Sequence, residues 1–136
     1  MRHDAPPSAV TIEQLLAEAR AGLRRLTPAE AHAAMERGAV LVDMRSDEQR
    51  SEHGVVPGAI CVARNVLEWR LDPACAHRDE RFARPDVQVM LLCEQGYQSS
   101  LVAATARRLG VRAATDVIGG FEAWAAAGLP VATPRV

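Results

Sequence analysis

At 136 residues the chain is long enough for one domain with a single core and too short for two ordinary ones. Hydrophobic residues make up 49% and the net charge is -1, so folding needs no disulfide or metal staple, and a broad basic face for nucleic acid or anionic lipid is not expected. All 16 basic residues are arginine, which excludes lysine Schiff-base and phosphate-loop lysine chemistry.

Taken in order, residues 1–9 read as a short tail. Thr11-Ile12-Glu13-Gln14 starts a helix over 11–22, with Ile12, Leu15, Leu16, Ala19 and Leu23 on one face. That face fits either the chain's own domain or a dimer contact. Leu23 to Leu26 reads as a short edge strand. Thr27-Pro28-Ala29-Glu30 is a capping box with proline at the first helical position, opening a helix that ends at Gly38. Ala39 to Asp43 is a buried strand, and Ser46-Asp47-Glu48 caps a short helix that breaks near Gly54. Val55 to Ala59 turns into a strand over Ala59 to Val62. Residues 64–86, arginine-rich with Trp69, Pro73 and Pro85, read as a loop with one or two helical turns. A strand over 87–92, a helix over 100–109 and a strand from Ala114 to Ile118 follow. Gly119-Gly120 turns into a helix from Phe121 to Ala127, which Gly128-Leu129-Pro130 ends.

Strands alternating with helices imply an α/β fold with a parallel sheet covered on both faces. Ligands in such sheets bind beyond the carboxyl ends of the strands. Cys93-Glu94-Gln95-Gly96-Tyr97-Gln98-Ser99-Ser100 falls at that edge, between a strand and a helix. A cysteine there faces free backbone N–H groups and the positive end of a helix dipole, surroundings that stabilise a thiolate. Cys93 is therefore the expected reactive group, against the plainer reading of a buried structural cysteine.

Three cysteines without a Cys-x-x-Cys pair speak against a disulfide framework or zinc ribbon. With no apolar leader and no membrane-length stretch, they fit a soluble protein of the cytoplasm. Cys61, in a strand, is expected to fill the core, and Cys75 lies in the arginine-rich loop, where a resolving thiol is the less favoured role. Asp43 and Arg45 are expected to form a structural ion pair. Arg64, Arg70, Arg78, Arg81 and Arg84 are expected to be mostly solvated, with some steering of anions. Trp69 fits a pocket wall or the core equally. The four histidines lack metal spacing, so neither metal nor cofactor is expected.

Several segments together resemble the rhodanese family of sulfurtransferases. Leu41-Val42-Asp43-Met44-Arg45 is similar to its second-strand signature, and Val55-Val56-Pro57-Gly58-Ala59 to its "GHIPGA" turn. Gly119-Gly120-Phe121-Glu122-Ala123-Trp124, followed by Ala127-Gly128-Leu129-Pro130-Val131, is similar to its C-terminal "GGFEAW…AGLPV" signature. The likeness spans residues 23–132, with the strand, cysteine loop and helix in their proper place. It implies a five-stranded parallel sheet between helices in a domain over 23–136, preceded by a tail and helix over 1–22. It also implies that Cys93 takes sulfane sulfur from a donor such as thiosulfate and passes it to a thiophilic acceptor, which is cyanide, a thiol or a protein. Substrate would be held by Glu94, Gln95, Gly96, Tyr97, Gln98, Ser99 and Ser100, with the hydroxyls of Ser99 and Ser100 capping the helix or donating to a persulfide.

Two departures from the family pattern matter. Val55 replaces the usual histidine of the turn, with His53 two positions earlier. Gln98 stands where the loop often carries arginine, which implies weak use of thiosulfate. Oxyanion chemistry of the phosphatase or arsenate reductase kind needs Cys-x5-Arg; here that position is Ser99. A silent regulatory or interaction module on the same fold is the remaining alternative. On any of these readings a monomer or homodimer without nucleic-acid or membrane partners is expected.

Overall fold

The computed structural model describes residue 6 and residues 8–134; the tail expected over 1–9 falls largely outside the described residues. Three of its helices begin with a reciprocal cap, in which the N-cap side chain accepts a backbone N–H three residues on and that residue's side chain reaches back. These are α1 (Ile12–Ala21) behind Thr11 and Gln14, α2 (Pro28–Glu36) behind Thr27 and Glu30, and α3 (Asp47–His53) behind Ser46 and Gln49. The Thr27 backbone N–H holds the Glu30 carboxyl below the usual carboxylate range.

Four parallel strands form the sheet, in the order β2-β1-β3-β4, where β1 is Val40–Asp43, β2 Ile60–Cys61, β3 Val89–Leu92 and β4 Thr115–Asp116. The fifth strand expected at Leu23 to Leu26 is reduced to one parallel bridge between Leu26 and Val117. Its outer side has no further strand to pair with, and only Leu26 and Ile118 donate backbone bonds across it.

The remaining helices are α4 (Leu67–Leu71, after a 3-10 turn at Arg64–Val66), α5 (Gln98–Arg108) and α6 (Gly120–Ala126). Alternation along the strands divides the core into two layers. Val42, Val89 and Leu91 face Leu67, Leu71, Phe82, Val102 and Ala106 on one side. Leu41, Met90 and Leu92 face Ala31, Ala34, Phe121 and Trp124 on the other. Both faces of β1 and β3 are covered, which is why each reads as an unbroken apolar run rather than an alternating one.

Helix α1 lies along α5 of its own domain. Its Leu16, Ala19 and the following Leu23 are half-buried, whereas Ile12 and Leu15 remain exposed. Among the described residues no helix is long and apolar enough to cross a membrane.

Candidate active site

Strand β3 carries the chain to the carboxyl edge of the sheet, where the Met44 N–H donates to the Leu92 carbonyl at 2.9 Å. Cys93, one residue on, turns towards the layer beneath α5 and is only 2% exposed. The Gly96 N–H donates to its Sγ at 3.1 Å, and the sulfur lies 3.2 Å from Ser99 Oγ. Among the described residues the backbone N–H groups of Glu94, Gln95, Tyr97, Gln98 and Ser99 donate to no other protein group. Five free donors on either side of the Gly96 N–H, at the start of an eleven-residue helix, make a concavity suited to an anion.

A second backbone turn closes on this loop. Gly96 has φ +84°, and a Cβ there would fall 2.7 Å from the Gly119 nitrogen. Gly120 has φ +63°, and its Cβ would sit 2.4 Å from the Cys93 carbonyl oxygen and 2.7 Å from the Gly96 nitrogen. Phe121 and Glu122 N–H groups donate to the Cys93 and Glu94 carbonyls at 2.9 and 3.0 Å. Gly96 and Gly120 are thus required where two backbones meet without room for a side chain. Gly120→Ala is expected to cost about 1–3 kcal/mol through overpacking at a left-handed position. A urea midpoint unchanged from wild type would show that the two turns do not touch in solution.

Glu94 belongs to a buried charge cluster. Arg45, 1% exposed, donates in bidentate fashion to Asp43 (3.1 and 2.9 Å), to Glu94 Oε1 (3.1 Å) and to the Gly54 carbonyl (2.8 Å). Its guanidinium also stacks 3.9 Å from the centre of the Phe121 ring. Burial alone pulls the Arg45 guanidinium down; the bonds to Asp43 and Glu94 outweigh it and hold the group above its ordinary value. The expected Asp43–Arg45 pair is therefore present, and it extends into the cysteine loop. Glu94 Oε2 lies 2.8 Å from His53 Nδ1, so the histidine two positions ahead of Val55 ends beside the loop.

On the opposite side lies a cluster that sequence reasoning does not reach. Asp116, wholly buried at the end of β4, receives the hydroxyls of Ser99 and Ser100 at 2.8 and 2.7 Å and the Arg25 guanidinium at 2.8 and 3.2 Å. Arg20 of α1 donates to Ser100 Oγ at 3.1 Å and to the Gly96 carbonyl at 2.7 Å, a carbonyl that Arg25 also reaches at 3.1 Å. A charged residue in the apolar run Ala113 to Ile118 is the one signal for Asp116; for Arg20 and Arg25 there is none.

The structure also corrects several expectations. Helix α5 begins at Gln98, two residues early, and neither Ser99 nor Ser100 caps it, because Asp116 takes both hydroxyls. Gln98 and Tyr97 are exposed beside the loop. Gln98 lines a cleft of about 380 Å³ together with Arg45, Arg50, Arg64 and Asn65. Trp69 is neither core nor pocket wall, standing 57% exposed. The loop arginines are largely solvated as expected, Arg64, Arg78, Arg81 and Arg84 being 38–65% exposed and paired locally with Glu68, Glu80, Asp79 and Asp86, while Arg70 bonds the His77 carbonyl. Cys61 is exposed rather than core. It pairs with Asp43, which pairs with Leu92, so strand alternation turns its side chain to the face opposite Cys93. Cys75 accepts the His77 N–H at 3.4 Å within its own loop.

Comparison with known proteins agrees with this geometry. The model of the rhodanese-like domain matches residues 27–127. The thiosulfate sulfurtransferase GlpE of Haemophilus influenzae is 30% identical over 111 residues, covering 81% of this chain and 95% of that protein. Among solved structures, a Rhodopseudomonas palustris protein of unknown function, described as a possible tyrosine phosphatase, is 32% identical with a TM-score of 0.81, covering 93% of this chain and 99% of that one. The polysulfide-sulfur transferase homodimer of Wolinella succinogenes shares the fold at 21% identity and a TM-score of 0.72, covering 88% of this chain and 85% of that one.

Proposed function

This chain belongs to the rhodanese-like domain family, and on that footing we propose that it is a sulfurtransferase carrying sulfane sulfur on Cys93. The likeness to a thiosulfate sulfurtransferase over most of both chains supports the activity in general. The observation that carries the site is the Gly96 N–H bonded to the Cys93 sulfur, flanked by the unpaired N–H groups of Glu94, Gln95, Tyr97, Gln98 and Ser99.

The reaction runs in two displacements. The Cys93 thiolate attacks the outer sulfur of a donor such as thiosulfate, the donor's S–S bond breaks, and sulfite leaves with the bonding pair. The resulting persulfide carries its negative charge on the outer sulfur, where the loop amides from Glu94 to Ser99 and the α5 dipole stabilise it. A nucleophile, cyanide or a thiol, then attacks that outer sulfur and leaves with it, returning the thiolate. Tyr97 and Gln98, both exposed at the rim, contact donor or acceptor.

Oxyanion hydrolysis fits less well. The position that would need arginine is Ser99, and no side chain there can grip an oxyanion bidentately. Gln98, in place of the loop arginine, implies weak use of thiosulfate on the same grounds. Gln98→Arg is expected to lower the KM for thiosulfate roughly tenfold, the factor that about 1.4 kcal/mol supplies, through a charge-assisted bond. An unchanged KM would remove Gln98 from the determinants of donor choice.

The direct test is intact mass after incubation with thiosulfate, mercaptopyruvate or glutathione persulfide, before and after cyanide. The expected result is the gain of one sulfur atom that cyanide removes. A chain that gains no sulfur from any of the three donors is instead a silent module of this fold.

A further inference from the structure

The Asp116 carboxylate has more partners than a structural role in β4 requires. Arg25 neutralises it in bidentate fashion, and Ser99 and Ser100 both end on Oδ2. An ionised carboxylate can only accept hydrogen bonds, so each serine gives its single proton to Asp116. Ser99 Oγ therefore turns lone pairs, not a proton, towards Cys93 Sγ at 3.2 Å. It can accept from the S–H of a thiol, and donating to a thiolate would mean giving up its bond to Asp116. The rest of the cluster keeps this arrangement in place. Arg20 donates to the Ser100 oxygen, and Arg20 and Arg25 together hold the Gly96 carbonyl, on the residue whose N–H donates to the sulfur.

We infer that Asp116 is a positioning residue that acts on Cys93 through Ser99, turning a hydrogen-bond acceptor rather than a donor towards the sulfur. The inference rests on Cys93 being the sulfur carrier proposed above. Activation then means that the S–H bond breaks with its electron pair left on sulfur and its proton passed to solvent water. The protein thereby opposes a thiolate from one side, through Ser99, while the loop amides favour negative charge from the other. The consequence is a nucleophile that is guarded in its resting form, since the thiolate is the form open to oxidation and stray exchange.

The other charges at the loop have partners of their own. Glu94 is held by Arg45 and His53, Asp43 by Arg45 and Arg50, and Glu122 by Gln95, while Tyr97 lies against Arg20. Asp116, Arg25 and Arg20 are the charged groups connected to the sulfur by hydrogen bonds through Ser99, Ser100 and Gly96.

The sign of one substitution separates this arrangement from an ordinary cradle in which Ser99 donates to the thiolate. The rate of Cys93 alkylation by iodoacetamide is followed between pH 6 and 9 by peptide mass spectrometry on the full chain. Ser99→Ala removes the acceptor of the thiol proton together with one of the hydroxyl bonds to Asp116, which Arg25 and Ser100 still hold, so its alkylation profile is expected to move to lower pH. At pH 6.5 the rate should rise roughly threefold, the ratio that a midpoint shift of about half a pH unit gives. Asp116→Asn should move the profile in the same direction, and by less than half as much when Ser99 is already alanine. A profile that moves to higher pH in Ser99→Ala would make Ser99 a donor to the thiolate and overturn the proposal. An Asp116→Asn shift of equal size with and without Ser99 would overturn it too, leaving only a through-space charge effect. Alkylation reads the thiol whether or not sulfur is carried, so a wild type that takes up no sulfur defeats the proposed function while this measurement still reports on Asp116 and Ser99.

Discussion

Replacing Cys93 by serine is expected to leave a folded protein that takes up no sulfur from any donor. The change is nearly isosteric, and the loop around it is held by groups other than the sulfur: the Phe121 and Glu122 amides, the Arg20 and Arg25 guanidiniums, and the Asp43–Arg45–Glu94 cluster. Stability should therefore stay within about 1 kcal/mol of wild type, as volume-conserving changes usually do. Chemistry is a different matter. A serine hydroxyl is a weak nucleophile without an adjacent general base, and the two groups nearest the sulfur are the Gly96 N–H, a donor, and Ser99, whose proton already belongs to Asp116. Intact mass before and after thiosulfate reads the result directly. A sulfur adduct that survives in Cys93→Ser but disappears in Cys61→Ala or Cys75→Ala would move the carrier to another thiol and sink the assignment.

The largest expected loss of stability follows from Arg45→Met. Arg45 and Asp43 have fully buried side chains, and truncating Arg45 leaves the Asp43 carboxylate in a low-dielectric site with only the 3.6 Å contact to Arg50 as counter-charge. The expected cost is about 3–5 kcal/mol, or on the order of 10–20 °C in Tm for a chain of this size. Set against a total stability of roughly 5–15 kcal/mol, this is enough to leave part of the protein unfolded at physiological temperature. Glu94 would lose its 3.1 Å bond at the same time, so the cysteine loop loosens with the core. Replacing Asp43 by leucine as well should recover part of the loss, because the stranded carboxylate is gone. Urea unfolding of the single and double variants checks both statements. A single variant within about 1 kcal/mol of wild type would mean that the pair is hydrated in solution rather than buried.

Local signals carried far along this chain. Thr11, Thr27 and Ser46 each cap the helix expected of them, since a reciprocal cap is satisfied within four residues and needs nothing from the rest of the fold. The apolar runs at 40–43 and 89–92 became central strands because both of their faces are covered. Departures came where neighbours decide. Leu23 to Leu26 carries the pattern of a strand, yet an edge position with one bonding side leaves only the Leu26 bridge. Cys61 is equally apolar in sequence, but at the end of a two-residue edge strand it is not enclosed.

The amino-acid sequence by itself determined the α/β architecture, the place of Cys93 at the carboxyl edge of the sheet and the glycines that let the loop turn. All of these depend on contacts within a few residues, or on a periodicity visible in one segment. Only the tertiary structure decided what surrounds the sulfur. Arg20 and Arg25 reach Gly96 across 76 and 71 residues, and Asp116 meets Ser99 across 17. No local pattern encodes which buried carboxylate will take a serine's proton. That choice is made when α1, β4 and the start of α5 pack together, and every buried polar group must then find its partner among those that the fold has brought within reach.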